Sequence, residues 1–78
     1  MRAVIQRVLS ASVIIEKNVY SQINNGLLVL LGISPEDTDN DIEWLANKII
    51  NLRIFNDSNN LMNLSLIDIA GEILIVSQ

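Results

Sequence analysis

At 78 residues the chain can form one small domain, and a domain of this size buries only roughly 60% of its unfolded surface. Half of the residues are hydrophobic and 18% are charged, which excludes a disordered chain; with no Cys and no His, disulfide and zinc staples are excluded too, so a partner or further chain must supply what so small a core lacks. The net charge of -4 excludes general nucleic-acid binding, whose affinity comes from Lys and Arg on phosphates, and leaves room only for a local contact.

A strand-like pattern begins at once in Met1-Arg2-Ala3-Val4, with no basic region, apolar stretch and cleavage site of a secretory signal. Residues 2–9 place Ala3, Ile5 and Leu9 on one side with Arg7, and Val4 and Val8 on the other with Gln6. Apolar residues on both faces predict a central strand. Residues 13–16 and 19–23 flank Lys17-Asn18, a two-residue connection in which Asn tolerates the positive φ of a hairpin turn. Asn24-Asn25-Gly26 signals the next turn, and the unbroken apolar run 27–31 behind it has no polar alternation, as in a strand covered on both sides. That strand is expected at the centre of the core. With Ile33 it is the longest apolar block, and it is far too short to span a bilayer. A cytoplasmic protein without membrane contact is the expectation.

Ser34-Pro35-Glu36-Asp37 breaks the run, and Thr38 with Asp41 three residues later resembles an acidic capping box, with Asp39 and Asp41 near the positive end of a helix. Ile42, Leu45, Ala46, Ile49 and Leu52 recur at helical spacing and leave Glu43, Asn47 and Lys48 outward. Residues 53–55 suit a short strand closed by the polar cluster Asn56-Asp57-Ser58-Asn59-Asn60. Leu64, Leu66, Ile67 and Ile69 return to the core before Ala70-Gly71 and a last strand, Glu72-Ile73-Leu74-Ile75-Val76. No repeat or linker divides the chain, so residues 1–78 are read as a single domain.

The chemistry must be unusual. There is no imidazole for a Ser-His-Asp triad, no thiol nucleophile and no zinc ligand set, so catalysis has to work by positioning and backbone polarity. Glu36, Asp37, Asp39 and Asp41 lack the Gly and terminal Glu of a calcium loop, and a capped helix start is the stronger reading; no metal and no cofactor are expected. Arg7 stands in an otherwise apolar strand and must find an acceptor or reach solvent, and on sequence alone it reads as an edge residue snorkelling to water. Met62, Asn63 and Ser65 can anchor a loop through local backbone bonds or lie near a site. The polar pair Ser77-Gln78 follows the last strand, and strand ends are where mixed α/β folds place chemistry.

The opening MRAVIQRV, the block GLLVLLGI, Asn51-Leu52-Arg53-Ile54-Phe55, Met62-Asn63-Leu64-Ser65-Leu66 and the ILIV strand ending in Ser77-Gln78 stand in the order and approximate spacing of one family. In these blocks the chain closely resembles the amino-terminal half of the D-aminoacyl-tRNA deacylases, and several coincident blocks are more specific than any single one. The resemblance implies a mixed α and β fold: barrel-like packed β-sheets with one amphipathic helix, an incomplete form of the deacylase fold. It implies hydrolysis of the ester of a D-amino acid, or of glycine, on the acceptor end of tRNA, by a homodimer with its sites at the subunit interface. Ser77 and Gln78 are then the catalytic pair. Arg7 braces a Gly-Pro loop, and Met62 belongs to the binding surface. The Phe and Thr that follow Gln78 in the family, and the later Gly-Pro segment, have no counterpart in these 78 residues. A catalytically silent folding or dimerisation module is therefore the alternative.

Overall fold

The computed structural model describes residues 1–77; Gln78 lies outside the described residues. Strand β1 (Arg2–Val8) is followed by the hairpin β2 (Ala11–Ile15) and β3 (Asn18–Ile23), then by β4 (Gly26–Gly32). Helix α1 (Asp39–Asn51), the short strands β5 (Phe55–Asn56) and β6 (Met62–Leu64), and finally β7 (Glu72–Ser77) complete the mixed α and β chain. It divides into two units: residues 1–33 with the β7 segment, and Ser34–Ala70.

In the first unit the sheet order is β1-β4-β7, antiparallel between β1 and β4 and parallel between β4 and β7. The apolar run therefore sits at the sheet's centre as expected, with Leu27 and Val29 fully buried. Strand β1, by contrast, is an edge of this sheet among the described residues, not a central strand. Apolar residues on both faces report what covers a strand, not how many hydrogen-bonded neighbours it has, and Val4 is in fact 56% exposed. Parallel pairing of β4 with β7 requires a long crossover, and residues 34–70 provide it.

The β2–β3 hairpin turns one residue earlier than the sequence suggests. Glu16 and Lys17 occupy the turn, with φ of 51° and 67°, and Asn18 already pairs with Ile15 in the ladder. Positive φ at both central positions is the primed turn that matches strand twist, so Asn18 contributes a side-chain bond from Nδ2 to the Glu16 carbonyl (3.4 Å) instead of the turn conformation. Val13 pairs with Ser21 and Ile14 with Val19, which leaves Tyr20 as an exposed bulge residue on β3.

In the second unit the capping box forms as read: the Asp41 amide donates to Thr38 Oγ1 (3.2 Å) and the Thr38 amide to Asp41 Oδ2 (2.9 Å). Ile49 is the buried residue of the helix, and Leu45 is half-buried, but Ile42 and Ala46 are exposed, so the inward stripe is narrower than the periodicity implies. The expected strand at 53–55 starts later, at Phe55. Asp57 sets that register, because its Oδ1 accepts the amides of Asn59 (2.8 Å) and Leu61 (3.1 Å) while its own amide donates to the Leu61 carbonyl (2.9 Å). Leu66 is buried, with Leu64 and Ile69 half-buried, whereas Ile67 faces outward.

Candidate functional site

Strand β7 carries the candidate catalytic position, and its register is fixed at its start. The Glu72 amide donates to the Asn25 carbonyl (3.1 Å), and the Glu72 carboxylate accepts the Asn24 amide (3.0 Å). Between them Gly26 permits a close approach of the two strands, since a Cβ there would lie 1.8 Å from the Glu72 carbonyl oxygen. With Gly26 opposite Glu72, every later pair follows, and Ser77 is set beside Leu31, which in turn faces Ala3 of β1. Ser77 is exposed at the carboxyl end of the strand. By strand alternation it shares a face with Ile75 and Ile73.

The same register places Arg7 opposite Leu27, and Leu27 opposite Ile73, four residues before Ser77. At about 3.3 Å per residue and about 4.8 Å between strands, the two Cα positions are separated by roughly 16 Å. Arg7 and Ser77 thus share a face but stand at opposite ends of the sheet, and the structure does not bring them together. Arg7 is an exposed residue of an edge strand and has an interaction partner. Gln78, the second residue of the pair, lies outside the described residues.

Met62 belongs to the second unit, where it is 61% exposed at the start of β6 and paired with Asn56. Beside it is a constellation that sequence reading did not anticipate. Arg53, leading out of the helix, donates from Nε to the Asn63 carbonyl (3.0 Å) and from Nη2 to Asn63 Oδ1. The two blocks that carried much of the resemblance, residues 51–55 and 62–66, are therefore joined by a forked guanidinium. The one available signal was the lone Arg inside an otherwise apolar segment, and its partner ten residues later could not be read from periodicity. Asn63 consequently serves Arg53, while Ser65 does bond locally: its Oγ accepts the Asp68 amide (3.2 Å) and its amide donates to Asp68 Oδ2 (2.9 Å), which caps a single helical turn.

Four carboxylates are held by such local bonds. The Leu61 and Asn59 amides hold the Asp57 carboxyl below its usual range, and the Ser65 amide does the same for Asp68, helped by the Ser65 hydroxyl and the charge of Arg53. Glu36 is lowered chiefly by the Ser34 hydroxyl (2.6 Å) and Asp37 by the Ser34 amide (2.8 Å). Among the described residues no group of three or more His, Cys, Asp or Glu is gathered to hold a metal ion, and no helix is long and apolar enough to cross a membrane.

Comparison with known proteins gives this arrangement a family. The chain is 63% identical over all 78 residues to a D-aminoacyl-tRNA deacylase of Thermosipho africanus and 56% identical to one of Clostridioides difficile, covering 52% of each. A solved structure titled c-Myc DNA Unwinding Element Binding Protein superposes with a TM-score of 0.95 at 47% identity, over the whole chain and 53% of that protein. The chain thus spans about half the length of the curated relatives it matches. Since the profile described as D-Tyr-tRNA(Tyr) deacylase matches residues 4–78, the chain belongs to that family.

Proposed function

We propose that these 78 residues are the amino-terminal half of a deacylase domain that hydrolyses the ester of D-aminoacyl-tRNA, and of glycyl-tRNA mischarged on a non-cognate tRNA, releasing free amino acid and tRNA. The observation that carries the reading is β7: in a chain of this family, a strand locked in register at Gly26 and Glu72 delivers an exposed Ser77 to its carboxyl end. Main-chain amides at that end, with Ser77 and Gln78, receive the ester carbonyl and stabilise the negative charge that develops on its oxygen. Water adds to the carbonyl carbon, and the ester oxygen leaves with a proton as the ribose hydroxyl, assisted by the neighbouring 2′-hydroxyl. No imidazole, thiol or metal is needed for that sequence. Chirality is filtered by shape, since an L-side chain would clash where a D-side chain clears.

Met62, exposed at the start of β6, is the binding residue proposed for the second unit. Arg7, roughly 16 Å from Ser77 along its own sheet, acts as a brace for a Gly-Pro segment in a homodimer and not as a contact to the ester. The acidic balance confines tRNA recognition to that end, and such proofreading belongs to the cytoplasm. A silent folding or dimerisation module is the second reading. Purified protein offered D-aminoacyl-tRNA and L-aminoacyl-tRNA separates the two. Release of the D-amino acid alone supports the deacylase; no release at high protein concentration overturns it for this chain.

A further inference from the structure

Asn25 is exposed at the bend between β3 and β4, and of the Asn residues in the sequence it alone is followed by Gly. The side-chain amide of asparagine is among the thermally labile groups of a protein, and its usual attacker is the main-chain nitrogen of the next residue. A following side chain crowds that approach; Gly26 presents none. Gly26 also belongs to the end pair of both its ladders, opposite Val8 of β1 and opposite Glu72 of β7, where hydrogen bonds open most readily. Lability and structural consequence coincide at this point. The Asn25 carbonyl accepts the Glu72 amide (3.1 Å), and the neighbouring Asn24 amide donates to the Glu72 carboxylate (3.0 Å). All of these groups belong to the first unit.

We propose that Asn25 is a deamidation site whose conversion loosens the start of β7. The Gly26 nitrogen, after losing its proton to hydroxide, attacks the side-chain carbonyl carbon of Asn25. The new C–N bond closes a five-membered imide, and the bond to the side-chain nitrogen breaks as that nitrogen leaves as ammonia. Water then opens the ring, so the sum is one water consumed and one ammonia released, with no redox change. Opening at the side-chain carbonyl carbon gives aspartate. Opening at the main-chain carbonyl carbon gives isoaspartate, in which the chain runs through the former side chain and is one methylene longer. The carbonyl that accepted the Glu72 amide is then part of a free carboxylate. Either product adds a negative charge next to the residue whose amide binds the Glu72 carboxylate, and like charges facing each other across strands are destabilising. The extra methylene also displaces Asn24 and Asn25 relative to Gly26, whose pairing with Glu72 starts the β4–β7 register. The site is independent of what the domain hydrolyses.

The test incubates the full chain at slightly acidic and at mildly alkaline pH and follows each Asn by digestion and mass spectrometry, with aspartate and isoaspartate peptides separated by chromatography. Conversion at position 25 outpaces that at Asn24, Asn59 and Asn60 and accelerates with pH, because the attacking nitrogen must first lose its proton. The converted protein, separated by charge, is then compared with the fresh protein by amide hydrogen exchange. The amides of Glu72 and Leu74 exchange about tenfold faster, as for loss of hydrogen bonds to a neutral and to a charged group, while those of the β2–β3 hairpin are unchanged. Asn25→Gln, whose longer side chain does not close a five-membered ring, keeps the exchange of its fresh state through the same incubation. Should Asn25→Gln fail to fold, Asn25→Ser serves as the control. Retention of the Asn25 amide while another Asn converts overturns the proposed site. A converted protein whose Glu72 and Leu74 amides exchange as in the fresh one overturns the proposed loosening of β7.

Discussion

Gly26→Ala is the substitution with the largest expected consequence. The added Cβ would stand 1.8 Å from the Glu72 carbonyl oxygen and 2.7 Å from both its carbonyl carbon and its amide nitrogen. All three atoms are backbone, so no side chain can rotate away; β7 must recede from β4 by more than about 1 Å to reach ordinary contact. That movement breaks the bond from the Glu72 amide to the Asn25 carbonyl and the bond from the Asn24 amide to the Glu72 carboxylate. A neutral hydrogen bond contributes about 1 kcal/mol and one to a charged group about 2, so the cost is about 3 kcal/mol before any loss of packing around buried Leu74. The gain from restricting the unfolded chain, about 0.5 kcal/mol, is too small to offset it. For a domain of this size the midpoint of thermal unfolding should fall by roughly 12–24 °C. Gly32→Ala is the control, because its Cβ would meet the Arg2 carbonyl oxygen at 3.8 Å, an ordinary contact. Calorimetry on the two variants checks the reasoning: a Gly26→Ala melting within a few degrees of Gly32→Ala would refute the claim that the β4–β7 register depends on a missing side chain.

The hairpin turn is a place where stability can be raised. Glu16 and Lys17 hold positive φ without being Gly or Asn, so Glu16→Asn with Lys17→Gly should stabilise by about 1 kcal/mol, read as a higher urea midpoint with unchanged slope. Thr38→Ala removes the acceptor of the Asp41 amide and should cost about 1 kcal/mol, with Thr38→Ser recovering most of it in the same titration. Asp57, Asp68, Glu36 and Asp37 all have lowered pKa values when folded, so below about pH 5 the unfolded state binds more protons than the folded one. Their stabilisation is full above the ordinary carboxylate range and is lost as pH falls through the folded values; Asp57→Asn should flatten that decline in melting temperature between about pH 5 and pH 2, and an unchanged slope would count against the Asp57 turn.

Local signals were legible where the bonding groups are close neighbours, although the hairpin turn, itself local, falls at Glu16 and Lys17 and not at Lys17-Asn18. The Thr38–Asp41 box spans one turn of chain, and both of its bonds are present; the run at 27–31 announced a central strand because no polar residue interrupts it, although only Leu27 and Val29 are buried while Leu28, Leu30 and Leu31 are half-buried. The helix was legible from its spacing, although Ile42 and Ala46 face outward. Reading failed where an answer depended on a partner far along the chain. Whether β1 is central or an edge depends on what pairs with its second side, and nothing within residues 2–8 encodes that. The bond from Arg53 to Asn63 arises only once the Asp57 turn has folded the chain back on itself.

The candidate site divides along the same line. Residue order alone placed Ser77 at the end of a strand and linked the chain to its family, because strand propensity and motif spacing are properties of neighbouring residues; the burial expected of that strand is limited to Leu74, with Ile75 58% exposed. Only the tertiary structure decided that β7 lies parallel to β4 in a register set by Gly26, and that Arg7 stands at the far end of the sheet from Ser77. Register is a relation between strands separated by tens of residues, established by close approach and hydrogen bonding across them, and a linear pattern carries no measure of it.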